Sequence, residues 1–422
     1  VPSSPALDDA SPRHRMMRRR RRTLRIAGAV GAVVLLSGAA TAYGVYQHLD
    51  SNITSADISK QLGGDRPAVV AKGAENILVL GSDSRAGTGT EYGAGLTTAQ
   101  SDTMLLVHLS ADRKWAAAVS IPRDSWVSIP SCTGTDGTTT TPRQAKINEA
   151  FTLGSEHGGT ASGAACSIKT VEAATGVHID HFVVVDFEGF KDMTTALGGV
   201  PVCTTEPVVD PKANLDLPAG QHELEGEQAL AFVRERHAIG DGSDLGRINR
   251  QQQFLASMAR TAESELTDPT AMYGFLDAAT KSITTDSGLG SLSALASLAE
   301  SVKSLPPSQL QFFTVPNHPR SDVVKSDTAN VLWSEPQANA LFGDLEHDVD
   351  PTAASPTTST ATSTTTGSAA QQPSASATPS HSTTKGSGHH STTTTTPSPS
   401  ASTPAAPLTP SVTGADEACT VT

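Results

Sequence analysis

Between residues 73 and 345, short apolar or β-branched runs alternate with longer helix-patterned stretches, and this alternation leaves few architectures open. Residues 77–80, 103–109, 115–121, 182–185 and 310–315 have strand length and strand composition. Helices are expected at 147–153, 166–175, 187–197, 227–236, 247–265, 269–281 and 292–305. Gly198-Gly199 closes one helix, and Pro218-Ala219-Gly220 reads as the turn of a hairpin over 213–224. The pattern predicts an α/β fold, an α/β/α layered domain around a central mixed sheet, occupying 73–345.

Charged residues sit where these runs end. Five stretches carry them: 76–85 (NILVLGSDSR), 101–107 (SDTMLLV), 120–130 (SIPRDSWVSIP), 234–236 (RER) and 244–252 (DLGRINRQQ). In layered α/β folds ligands bind beyond the carboxyl ends of strands. Asp83 and Arg85 follow one predicted strand and Arg123 follows another, so both groups are expected on that edge. Carboxylates suit a divalent cation, and guanidinium forks suit phosphate oxygens. Read singly, Asp83, Asp102 and Asp244 have ordinary roles at strand exits and helix caps. Arg234 and Arg236 reach one ligand only if the helix ends between them. Arg247, Arg250 and Gln251 fall at spacings that share a helix face.

The N-terminus predicts a compartment. Residues 1–25 carry eight arginines, five of them consecutive at 18–22, against Asp8 and Asp9. Residues 26–46 contain no charge and, at about 1.5 Å per residue, are long enough to cross a bilayer as a transmembrane helix. The arginines place the N-terminus in the cytoplasm and the rest of the chain outside the cell membrane. Ala40-Thr41-Ala42 leaves a cleaved signal peptide as the alternative. A linker at 47–72 leads into the domain. With its cations concentrated at the N-terminus, a chain of net charge −13 is a poor nucleic-acid partner.

Four cysteines in an exported chain read as disulfides. Cys132–Cys166 is the favoured pair, stapling the 131–145 loop to a helix beginning near Cys166. Cys203 and Cys419 remain, to pair with each other, with another chain or with nothing. From 346 to 422 the chain is dominated by Ser, Thr, Pro, Ala and Gly and is expected to be disordered, as a wall-spanning stalk would be.

In order and residue content, the five charged stretches resemble the LytR-CpsA-Psr family of bacterial wall-polymer ligases over roughly residues 73–320, and the Ala-, Gly- and Thr-rich composition suits an actinobacterial member. The resemblance implies a membrane-anchored phosphotransferase. It would move a glycopolymer (teichoic acid-like, arabinogalactan-like or capsular) from a polyprenyl diphosphate carrier to peptidoglycan. It implies that Asp83, Asp102 and Asp244 hold Mg²⁺ or Mn²⁺, and that Arg85, Arg123, Arg234, Arg236, Arg247 and Gln251 bind the diphosphate. Asp83, Asp102, Arg123, Arg234 and Arg236 are the residues implied in the chemistry, with Asp83 or Asp102 as base. Many members have Arg two residues before the second aspartate, where this chain has Gln100. Lys146 is a candidate rim contact, Phe151 core or lining. Phe182, Phe187, Phe190, Leu197 and Phe232 are candidates for an isoprenoid groove, against plain core packing. A polyprenyl diphosphate phosphohydrolase and a non-catalytic lipid-carrier-binding or regulatory wall protein are the alternatives.

Overall fold

The computed structural model describes residues 12–82, 100–211, 214–235, 244–265, 267–353 and 408–415, with side chains from residue 31 onward. The chain opens with helix α1 (Pro12–Asn52), strand β1 (Thr54–Ala56) and α2 (Ser59–Leu62). Next come β2 (Glu75–Ser82), β3 (Ser101–Leu109), β4 (Ala116–Ser120), β5 (Trp126–Ile129), β6 (Arg143–Lys146), α3 (Glu149–Ser155) and α4 (Gly159–Thr175). The middle holds β7 (His181–Asp186), α5 (Phe187–Ala196), β8 (Val200–Thr204), β9 (Val208–Asp210), β10 (Leu215–Leu217), β11 (Gly220–Leu224) and α6 (Gly226–Arg234). Then follow α7 (Asp244–Glu265), α8 (Pro269–Ser282), β12 (Ile283–Asp286) and α9 (Leu292–Val302). Last are β13 (Leu310–Thr314), β14 (Asn317–Pro319), β15 (Val331–Trp333), α10 (Glu335–Glu346) and β16 (Val412–Thr413).

Eight strands form one mixed sheet in the order β1-β12-β7-β2-β3-β4-β13-β16. β2 runs parallel to β7 and β4 parallel to β13, while β3 is antiparallel to both its neighbours. Period-two alternation divides the side chains between two faces. Leu78, Leu80, Leu106 and Phe182 are fully buried on one face, packed with Phe151, Ile168 and Phe342 from α3, α4 and α10. On the other face Val79, Leu105 and Val107 meet Leu255 and Ala256 of α7, and Ile77 and Leu109 meet Leu298 and Val302 of α9. These are the three expected layers.

Local chemistry sets several helix ends. Asp186 caps α5 by accepting from the Gly189 N–H at 2.7 Å. Asp268 accepts from the Thr270 and Ala271 N–H groups at 2.9 Å, with Pro269 in the first turn of α8. Gly198 and Gly199 lie at φ 75° and 106°, as the stop after α5 requires.

Four expectations change. The hairpin over 213–224 does not form: β10 pairs with β9 and β11 with β8, so Pro218 joins two separate ribbons. The helix at Cys166 begins seven residues earlier, at Gly159, because small residues let it lie against α3; a Cβ on Gly154 would fall 2.2 Å from the Ser162 carbonyl oxygen. α10 is a helix with Leu341, Phe342 and Leu345 in the core, where no helix is expected from the sequence. The expected tail boundary at 346 also moves. Asp348 accepts from the Ala111 N–H at 3.1 Å and meets buried His108 at 3.0 Å, and residues 408–415 return to the sheet as β16.

α1 is one helix whose last turns dock on α8, with His48 Nε2 3.0 Å from Asp277 Oδ1 and Leu49 buried. Val33, Val34, Leu35, Leu36 and Tyr43 are exposed on it. Among the described residues no helix is long and apolar enough to cross a membrane. The first five residues of the span expected at 26–46 have side chains outside the described set.

The Cys132–Cys166 disulfide is present, with Cα atoms 5.3 Å apart. Cys203 is also disulfide-bonded; Cys419 lies outside the described residues.

Candidate active site

Because β3 runs antiparallel between β2 and β4, its first residues share an edge with the carboxyl ends of β2, β4 and β7. That places Asp102, at the start of β3, opposite Arg123, which follows β4. Arg123 Nη1 donates to Asp102 Oδ1 at 2.5 Å, and its Nε lies 3.7 Å from both Asp124 Oδ2 and Asp244 Oδ1. Lys146 Nζ completes the far side, 2.6 Å from Asp124 Oδ1. Burial works against the Arg123 charge, but Asp102, Asp124 and Asp244 outweigh it and hold its pKa above the ordinary guanidinium value. Its Nε is buried and donates no hydrogen bond among the described residues, so a donor remains for a ligand oxygen.

α7 supplies the rest. Asp244 opens it and pairs with Arg247 one turn on. Gln251 donates to Thr103 Oγ1 at 3.3 Å and to the Val233 carbonyl at 3.1 Å, tying α7 to β3 and α6. α6 ends at Arg234, two residues short of its expected end, and the Arg234 guanidinium stacks 4.5 Å over the Phe187 ring.

These groups stand at one end of a cavity of about 430 Å³, a volume typical of small-ligand sites. Asp102, Arg123, Arg234, Arg247 and Gln251 line it, with Val185, Phe187, Phe190, Met193, Phe254, Leu255 and Met258. Along α7 the lining passes from Arg247 through Gln251 to Leu255 and Met258, eleven residues or about 16 Å from charge to pure hydrocarbon. Asp186 also faces the cavity; burial raises its carboxyl pKa against the Gly189 N–H that lowers it. Such a site accepts an elongated amphiphile with its anion among the arginines.

Of the expected residues, Asp102, Arg123, Arg234, Asp244, Arg247 and Gln251 converge here. Asp83, Arg85 and Arg236 lie outside the described residues. Arg250 does not share the face: it is buried and donates to the Glu235 carbonyl instead. Phe187 and Phe190 line the cavity, whereas Phe151, Phe182 and Phe232 are core, and Leu197 is buried outside the lining. Asp124, Asp186, Phe254, Leu255 and Met258 were given no role by the sequence reading. The i, i+4, i+7 ladder from Gln251 was the signal that finds Leu255 and Met258.

Among the described residues no group of three or more His, Cys, Asp or Glu forms a metal cluster. Asp102 and Asp244, both within 3.7 Å of Arg123, match the one or two carboxylates Mg²⁺ commonly uses alongside waters and phosphate oxygens. The donor set therefore fits such an ion.

The sequence profile of the LytR_cpsA_psr family matches residues 43–345. The chain is 35% identical over 284 residues to the probable cell wall biosynthesis protein LcpB of Corynebacterium glutamicum, covering 64% of this chain and 60% of that protein. It is 35% identical over 193 residues to the polyisoprenyl-teichoic acid–peptidoglycan teichoic acid transferase TagU of Oceanobacillus iheyensis, covering 46% of this chain and 53% of that protein. The chain thus spans less than two thirds of either relative. The fold is similar to that of the LytR-Csp2A-Psr enzyme from Actinomyces oris, with a TM-score of 0.50 and 22% identity, covering 70% of this chain and 96% of that one. A match that extends from the last turns of α1 into the last turn of α10, a span that holds every strand and helix that builds the cavity, makes this chain a member of the LytR-CpsA-Psr family.

Proposed function

We propose that the chain transfers a glycopolymer phosphate from a polyprenyl diphosphate carrier to a hydroxyl of peptidoglycan. The observation that carries this is the cavity itself: one end is cationic, the other is hydrocarbon, and the two are joined by a single helix face. The isoprenoid lies along Phe190, Leu255 and Met258, and the diphosphate meets Arg123, Arg234 and Arg247. The acceptor oxygen forms a bond to the glycan-linked phosphorus, the bond from that phosphorus to the bridging oxygen breaks, and prenyl phosphate leaves. The acceptor proton passes to a carboxylate, Asp102 or Asp83. Arginine forks hold the phosphoryl oxygens while charge shifts to the leaving group. Mg²⁺ or Mn²⁺, held by Asp102 and Asp244 with Asp83, would neutralise diphosphate charge when bound.

We read α1 as the membrane anchor, supported by its exposed Val33–Leu36 run, with the domain on the outer face, where disulfides such as Cys132–Cys166 persist. The names of the relatives support a wall-polymer role.

The test is to incubate the purified chain with a polyprenyl diphosphate-linked glycan, with and without Mg²⁺ and peptidoglycan. Glycan covalently attached to peptidoglycan is expected, together with released prenyl phosphate. Phosphate release indifferent to peptidoglycan would establish hydrolysis instead. Neither product would leave a carrier-binding protein.

A further inference from the structure

The last described segment forms an edge strand of the central sheet, with Val412 and Gly414 buried. β16 pairs antiparallel with β13, Phe312 opposite Val412, and extends the central sheet by one strand. The Ser411 N–H donates to the Phe312 carbonyl at 2.7 Å and the Gly414 N–H to the Leu310 carbonyl at 2.8 Å. Val412 is 2% exposed and packs with Leu105, Ala118, Ala256 and Phe312, with Leu255 and Val79 against the same cluster. Leu105, Leu255 and Val79 also line the cavity. Val412 therefore belongs to the same packed cluster as three residues that line the apolar space.

The segment also grips α7 directly. Arg260, in the C-terminal half of that helix, donates to the Gly414 carbonyl at 3.0 Å. Gly414 is buried, and a Cβ placed on it falls 2.5 Å from the Pro307 carbonyl oxygen and 3.3 Å from Leu310 Cβ, so the contact admits only glycine. The Leu408 N–H donates to the Pro351 carbonyl at 2.9 Å.

We propose that residues 408–415 are a positioning element for the cavity: by strand pairing, Val412 packing and the Arg260–Gly414 contact they hold the C-terminal half of α7 against the sheet and set its apolar wall. This rests on reading the cavity as the prenyl site. The ligand's far end would feel the element and its diphosphate would not, because Arg247 and Gln251 lie at the other end of α7.

Two variants of the full chain test it, a truncation after Thr352 and Gly414→Val, with amide exchange over 252–262 and binding of geranyl and undecaprenyl diphosphate as readouts. Both variants are expected to exchange faster over 252–262 and to bind undecaprenyl diphosphate about tenfold more weakly, about 1.4 kcal/mol, with geranyl diphosphate little affected. Unchanged protection of the β2 and β7 amides shows that the variants remain folded. A synthetic peptide of residues 406–418 added to the truncated chain is expected to restore both readouts. A single cut between 353 and 408 in the intact chain should change neither. Wild-type exchange over 252–262 in the folded truncated chain overturns the proposal, as does equal weakening for both diphosphates. If the intact chain binds neither diphosphate, the prenyl reading fails alone, and exchange over 252–262 decides whether the element holds α7.

Discussion

Arg123 is held by three carboxylates, and its buried Nε donates no hydrogen bond among the described residues. A purely structural arginine would spend its fork on those partners. Arg123→Ala is expected to reduce transfer by about 10²–10³-fold, the cost of deleting one preorganised donor to a transition-state oxygen, with the circular dichroism of the domain unchanged. Arg123→Lys keeps the charge and loses the planar fork, so it should recover binding more than turnover. Wild-type turnover by a folded Arg123→Ala protein would remove the assignment. Gln100 is exposed at the entry to β3. Gln100→Arg adds a cation there and is expected to tighten prenyl diphosphate binding with a steeper salt dependence; an unchanged salt profile would show that this position does not feel the diphosphate.

Among the elements, the strands were the most legible. The five predicted runs became β2, β3, β4, β7 and β13, with ends within two residues, because each is a hydrophobic run bounded by polar or turn residues. β8 to β11 were less so, since short ribbons choose partners by packing and not by the nearest turn. The Cys132–Cys166 staple joins positions 34 residues apart. Replacing both cysteines by serine should cost about 3–4 kcal/mol on the chain-entropy estimate, read as a lower urea midpoint at constant slope. β7 and β12 are joined by His181 and Asp286, 3.0 Å apart. The hydrogen bond to Asp286 raises the His181 pKa above 6.5. Burial pushes Asp286 up, but His181 and the Phe182 and Gly288 N–H groups outweigh it and leave it below 3.8. The histidine contribution is complete below 6.5 and is lost as pH rises through its folded pKa. The aspartate contribution is complete above 3.8 and is lost as pH falls through its folded value. The stability deficit of Asp286→Asn should therefore be greatest between these two values and shrink on either side; a pH-independent deficit would show that the pair is not charged.

At the scale of the whole molecule the cavity is the property no single element carries. α7 gives it a polar end and an apolar end, α5 and α6 close one side, and the sheet forms the floor. Met258→Trp fills the hydrocarbon end and is expected to weaken undecaprenyl diphosphate binding about tenfold while sparing geranyl diphosphate. Equal loss for both would place the isoprenoid elsewhere. The sequence by itself determined the layered α/β class, the main strands and the favoured disulfide, because periodicity and turn chemistry are local properties; the charged residues of the site were implied only by the family resemblance of the stretches that carry them. Only the tertiary structure decided that Arg250 turns away while Gln251 faces the cavity, and that Asp124 joins the arginine cluster. It alone decided that Phe254, Leu255 and Met258 line a cavity, and that a strand at 412–413 pairs with β13 at the sheet edge. Each of these depends on which of several chemically equivalent faces is covered, and that is settled by long-range packing of segments distant in the chain, where local patterning carries no information.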